Sequence, residues 1–330
     1  MQNLIKQLKK LKITRYEIRL QALENASLNA LIGSALRGAF GHSLKKVACS
    51  VQHRECERCI LNTACVYPRI FEPSSSRLKN APRPFVFEPP IPPFTKEISK
   101  NKSLILGVEK GEQISFGLTI IGEAQKDLPY FIYAAELFAE KGLGVKRTPF
   151  KVSNVCVKDI EEDRYRIYEP SLNYIEPHEE FQYNLSDLLM KYLDNFNYRN
   201  EILKIRFLTP LRIMQNRRII TKITFRDIFK QASLRIKHLT DIYGKSLEYD
   251  YKYLMDKAGE VKIIEENTWR HNSERWTNRQ NRKLKLDGIL GEMEFVSDNF
   301  EDFLPILIAG EILNIGSSTS FGFGKFIVLD

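Results

Sequence analysis

The chain has 330 residues, 38.4 kDa, 43% hydrophobic residues and a net charge of +9 with pI near 9.1. That size suits two domains, each with its own core, and the composition is ordinary for a globular protein, which excludes a disordered or fibrous chain. No run of about 18 apolar residues occurs, and the start, MQNLIKQLKKLK, lacks a continuous apolar segment, so the sequence predicts a cytoplasmic protein with no membrane partner and, from its charge, an anionic one.

Residues Ile13 to Leu20 alternate apolar and charged, the period of a half-buried strand. Leu28, Ile32, Leu36, Phe40, Leu44 and Val47 then recur at helical spacing, with Arg37, Gly38, Gly41, His42, Lys45 and Lys46 on the opposite face. A cysteine-bearing insertion (49–65) follows, then a proline-rich connector (81–94), which reads as extended and semi-rigid. Strands are expected at 85–88, 103–108 and 113–121, a helix at 128–140, a turn at Gly142-Leu143-Gly144 with Lys146 and Arg147, and a strand near 150–157.

Residues 202–330 repeat this order, with helices expected at 224–243 and 300–313 and a glycine turn before the last strand. The fold class expected is therefore α+β, two tandem ferredoxin-like (RRM-like) domains at 1–198 and 199–330, the first with a cysteine-rich insertion after its first helix.

Four of the five cysteines, Cys49, Cys56, Cys59 and Cys65, follow C-x6-C-x2-C-x5-C. Four soft ligands in seventeen residues can close a tetrahedral site, so structural zinc is expected, with an iron–sulfur cluster as the alternative and incidental thiols as the plain reading. His53 could replace one cysteine, and Cys156 reads as core. Two basic runs stand out, at 1–20 and 269–285. The second interleaves Trp269 and Trp276 with Arg270, Arg275, Arg279 and Arg282, so aromatic rings could stack on unpaired bases while cations meet phosphates.

The terminal span GEILNIGSSTSFGFGK (310–325) supplies glycines and hydroxyls suited to close approach of phosphate. It is not a Walker loop, because Phe326 follows Gly324-Lys325, and not a dinucleotide fingerprint, because a strand follows instead of a helix. Of the five histidines, His42 shares a helix face with Gly38 and Lys46 at i±4, with Lys45 beside them, an arrangement that joins a proton-transfer group to phosphate-neutralising cations. His271 stands next in rank, in the arginine/tryptophan segment. His178 lies in an acidic loop and His238 in a helix of the second half.

The terminal loop, SALRGAFGHSLKK, the Gly142–Gly144 turn and WRHNSERWTNRQNR resemble the RAMP superfamily, in particular its endoribonucleases that cut precursor CRISPR RNA within each repeat. The resemblance implies cleavage by internal 2′-OH attack, leaving a 2′,3′-cyclic phosphate and a 5′-OH, with no metal needed for the cut. It implies His42 as acid/base with Lys45 or Lys46 as the phosphorane cation. RNA contacts are expected from Arg37, Lys146, Arg147, Arg270, His271, Arg275, Trp276, Arg279, Arg282, Gly316, Ser317, Ser318, Thr319, Gly322, Gly324 and Lys325. The expected partner is CRISPR repeat RNA or its processed crRNA, and other CRISPR effector subunits besides. The main alternative is a non-catalytic RAMP subunit that holds guide RNA, and a third reading is a metal-dependent nuclease centred on the cysteines.

Overall fold

A computed structural model describes residues 2–29, 31–51, 55–75, 78, 81–90, 105–194, 196, 201–216, 218–272, 274–277 and 282–329. His53 and Arg279 lie outside the described residues, as do 91–94 of the proline-rich connector and most of 195–200.

The first unit is built from β1 (Lys12–Ala22), α1 (Gly33–Ala48), β2 (Phe85–Glu88), β3 (Gln113–Ile121), α2 (Leu128–Glu140) and β4 (Phe150–Lys158), with an added edge strand β5 (Arg164–Tyr168). Its sheet runs β2-β3-β1-β4-β5, all antiparallel. The second unit uses β6 (Ile202–Leu211), α4 (Phe225–Tyr243), β7 (Lys262–His271), β8 (Gly288–Val296), α6 (Leu304–Leu313) and β9 (Phe326–Leu329), in the order β7-β8-β6-β9. Between and beside them lie α3 (Leu185–Asp194) and α5 (Tyr251–Glu260). Each unit places its first strand between its third and fourth, the ferredoxin-like arrangement, so the duplicated α+β architecture is as the sequence pattern indicates. Among the described residues no helix is long and apolar enough to cross a membrane.

Two boundaries differ from the sequence reading, each for a physical reason. Leu28 is not helical: Ala26–Asn29 forms a short strand paired with Ile105–Val108, burying Ala26 and Leu28 while Ser27 and Asn29 face out. A spacing of four is shared by period two and period 3.6, so Leu28 and Ile32 fit both patterns. The last helix starts at Leu304 rather than Phe300, because Pro305 has no N–H to donate and belongs in a helix's first turn. By contrast α4 starts where its composition directs, with Thr224 and Asp227 forming a reciprocal capping box.

The helical faces fill two cores. One gathers Leu36, Phe40, Leu44, Phe85, Phe87, Phe131 and Phe138 over the first sheet. The other gathers Phe207, Phe225, Phe229, Phe295 and Phe303 with almost the whole of α6. Leu4, Ile5, Leu8 and Leu11 from the chain's start, and Leu185, Leu188 and Leu189 from α3, join this second cluster. The units thus interleave.

A second link between the units is the glycine-rich segment after α6. Its helical turn, Thr319–Phe321, packs on β2 and on the start of α1. A Cβ at Gly33 would strike the Phe321 carbonyl, so the first residue of α1 must be glycine for this contact to form. Gly322 has φ +78°, and a Cβ there would strike Pro89 and the Phe87 carbonyl. The Thr209 hydroxyl donates to the Gly322 carbonyl at 2.7 Å and accepts from the Lys325 amide at 2.9 Å. Tyr243 adds a third link, donating its hydroxyl to the Pro82 carbonyl at 2.6 Å.

Candidate active site

Helix α1 turns Leu36, Phe40 and Leu44 inward, where Phe40 meets the rings of Phe87 and Phe131 at centroid distances of 5.1 Å. The same periodicity leaves His42 and Lys46 exposed one turn apart. The packing of α2 against α1 brings a group that the sequence reading did not single out: Lys141, just past the end of α2, places its Nζ 3.5 Å from His42 Nδ1. An ammonium can only donate, so in this contact Nδ1 is the accepting nitrogen and the neutral ring carries its proton on Nε2, free to face a ligand. Lys45 points elsewhere. It is half-buried, with Nζ 5.3 Å over the Tyr67 ring on the cysteine-rich side. A histidine and two nearby lysines can exchange a proton and balance developing anionic charge.

The sequence shows the neighbourhood of Lys141 and not its partner. Lys141 directly precedes the Gly142-Leu143-Gly144 turn, whose Lys146 and Arg147 were counted as cations. In the structure this turn closes through Leu143 and Thr148, and Lys141, Val145, Lys146 and Arg147 are all exposed on it.

The terminal loop is placed differently from the phosphate cradle expected. Thr319, Ser320, Gly322 and Gly324 are buried, Gly322 against Pro89 and Phe87 of the first unit and Gly324 against Ile315 of its own, while Gly316, Ser317 and Ser318 keep a half-exposed edge. Lys325 donates from Nζ to the Glu311 carbonyl at 3.1 Å and sits 3.6 Å from the Glu88 carboxylate. Burial works against its charge, but Glu88 and Glu311 outweigh that and raise its pKa, so it stays a cation inside the joint. These residues line a cavity of about 220 Å³ with Arg15, Tyr16, Lys158, Glu162 and Tyr192.

The arginine/tryptophan segment forms a hairpin, Glu274–Thr277 paired with Arg282–Lys285, following β7 and preceding β8. Arg275, Trp276 and Arg282 lie on its strands. Arg270 is tied to the buried Asp287 at 2.7 Å. Burial pushes the pKa of neighbouring His271 down, with Asp287 opposing. Arg37 stacks on Phe71 at 4.0 Å and approaches Phe321 at 5.4 Å, which fixes it at the joint.

One further histidine has structural partners. His178 Nδ1 donates to the Glu176 carbonyl at 2.8 Å, leaving Nε2 to accept from Tyr16 at 3.1 Å. His238 is half-buried, and burial lowers its pKa. Among the described residues, no group of three or more His, Cys, Asp or Glu side chains stands ready-made around a metal ion. Cys49, Cys56, Cys59 and Cys65 nevertheless line one small cavity, while Cys156 is buried in β4, as expected for core.

Comparison with known proteins places this geometry. Residues 11–180, just over half of the chain, match the family model described as the AF_1859_N N-terminal domain, and residues 205–326 match that of the CRISPR-associated endoribonuclease Cas6. The chain belongs to the first family, with a Cas6 domain in its C-terminal half. An uncharacterized protein of Archaeoglobus fulgidus is 24% identical over 319 residues, covering 96% of this chain and 97% of its own length. Thermus thermophilus Cas6 shares the fold at 13% identity and a TM-score of 0.54, over 97% of this chain and 99% of that one. A partial Cas6-RT-Cas1–Cas2 complex matches at 12% identity and a TM-score of 0.58 over 97% of this chain. This chain spans 46% of that longer polypeptide. The shared Cas6-type fold accounts for the duplicated ferredoxin-like units.

Proposed function

We propose that this protein is an endoribonuclease that cuts CRISPR precursor RNA within its repeats, in the cytoplasm, by attack of a ribose 2′-OH on the adjacent phosphate. The products would carry a 2′,3′-cyclic phosphate and a 5′-OH, and the cut would need no metal ion. The observation that carries the reading is the exposed His42 ring beside Lys141, one helical turn from Lys46, on a Cas6-type fold. His42 acts as acid/base: its neutral imidazole takes up the proton of the attacking 2′-OH, and the imidazolium so formed gives a proton to the leaving 5′-oxygen, so the ring ends neutral as it began. Lys46 and Lys141 balance charge on the phosphorane, and Lys45 is placed to hold the helix rather than to meet phosphate. The turn at Lys146 and Arg147, the hairpin with Arg275, Trp276 and Arg282, and the open edge at Gly316–Ser318 provide the RNA-holding surface. The start of α1 is the part that touches the terminal loop, and His42 is nine residues further along, so these sites stand about 14 Å apart along the helix at 1.5 Å per residue. The bound strand therefore runs along α1. The match to the Cas6-RT-Cas1–Cas2 assembly supports other CRISPR proteins as partners.

The test is incubation of purified protein with end-labelled repeat RNA in EDTA. A single cut is expected, lost when the nucleotide 5′ to the cut lacks its 2′-OH. His42→Ala should bind the repeat normally and cut it slowly. Binding without any product by the unaltered protein would instead establish the guide-holding RAMP subunit.

A further inference from the structure

The cysteine-rich segment follows α1 directly, and its four thiols converge. Cys49 is the C-cap of α1, Cys56 opens a short helical turn, Cys59 closes it, and Cys65 caps the next helix, Val66–Phe71. All four line one cavity of about 20 Å³, with Ser50, Val51, Leu61 and Tyr67 in the remaining wall. That space holds one small ion or one water molecule.

The scaffold around the cavity is tied to α1 at several points. The Cys65 thiol faces the Ala48 carbonyl at 3.8 Å, and the Asn62 amide donates to the Cys56 carbonyl at 2.7 Å. Lys45 Nζ lies over the Tyr67 ring, and Phe71 meets Phe40 at a tilt, with a centroid distance of 6.2 Å. The apolar contacts of this segment are few and its ligand-type side chains many. Val51 and Leu61 stay exposed. A stretch that buries so little cannot offset the entropy of its own ordering and needs another source of free energy.

We propose that Cys49, Cys56, Cys59 and Cys65 bind one structural zinc ion, which fastens the last turn of α1, and with it His42 and Lys46, to the segment behind it. A tetrathiolate site with Zn–S bonds of about 2.3 Å sets sulfur–sulfur distances of about 3.8 Å. The thiols are not drawn together to a metal polyhedron as they stand, so binding contracts the cavity around the ion. Each thiol gives up its proton to the solvent as its sulfur coordinates. Four protein ligands leave no open position, so the ion is structural and takes no part in cutting RNA. The inference is independent of which nucleic acid the protein acts on.

The full-length protein tests it. After zinc addition and desalting, elemental analysis should find about one zinc per chain, retained in Cys156→Ser and lost in Cys56→Ser/Cys59→Ser. Cobalt in place of zinc should give the intense near-ultraviolet thiolate-to-metal band of a four-sulfur site. Should the double variant not fold, peptide mapping of the unaltered protein decides: bound zinc must shield the four loop cysteines from alkylation at least tenfold, leaving Cys156 unaffected. Equal alkylation with and without zinc, or iron with visible cluster absorption in place of zinc, overturns the proposal.

Discussion

The two glycine turns occupy the same place in the two units, between the second helix and the last strand, and they end up in different surroundings. The turn at Gly142–Gly144 stands open and carries Lys141, Lys146 and Arg147 into solvent. The turn at Gly316–Gly324 is folded against β2 and the start of α1, with Thr319, Ser320 and Gly322 buried and Lys325 held near Glu88 and the Glu311 carbonyl. The first keeps cations available to a partner, while the second spends its backbone freedom on joining the units. Position in a repeated fold therefore does not assign a role; the neighbours do. The helices show the same divergence. His42 on α1 is exposed beside a lysine, whereas His238 on the corresponding α4 is half-buried between charged neighbours on its own helix and loses proton affinity through burial.

Substitutions can break this contrast. The largest effect is expected at His42: His42→Ala should slow single-turnover cutting of repeat RNA by roughly 10²–10⁴-fold, with the dissociation constant unchanged. His238→Ala should leave that rate alone, and a comparable loss at His238 would place the chemistry in the wrong unit. Next comes the joint. Gly322→Ala combines a left-handed backbone with contacts into Pro89 and Phe87, and should cost about 2–4 kcal/mol in urea unfolding. If stability holds while RNA affinity collapses, the loop is a ligand cradle and not a joint. Lys141→Ala should lower the cutting rate about tenfold through loss of one cation beside His42, with rescue by Lys141→Arg. The smallest effect belongs to the open turn: Lys146→Ala and Arg147→Ala should each weaken RNA binding a few-fold and flatten the slope of log affinity against log salt by about 0.7–0.9.

Much of the fold could be read along the chain. Period-two alternation in β1 and period-3.6 faces in α1, α2 and α4 fix those elements locally, since side-chain direction follows backbone geometry. Helices α3 and α5 went unread, because Leu185, Leu188 and Leu189, or Leu254, Met255 and Ala258, make only two or three turns of apolar stripe. Site residues carried on one helix were equally legible: His42 and Lys46 share a face because they are four apart. Lys141 was not, because ninety-nine residues separate it from His42 and only the packing of α2 on α1 brings them together.

The sequence by itself determined the duplicated α+β pattern, the basic balance, the exposed histidine face and the cysteine spacing, since each rests on interactions within a few residues of chain. Tertiary structure alone decided that Lys141 meets His42, that Lys45 faces Tyr67, and that Lys325 and Gly322 hold two units together. Those outcomes depend on which surfaces exclude water from one another, and side chains far apart along the chain compete for that burial only once both sheets have formed.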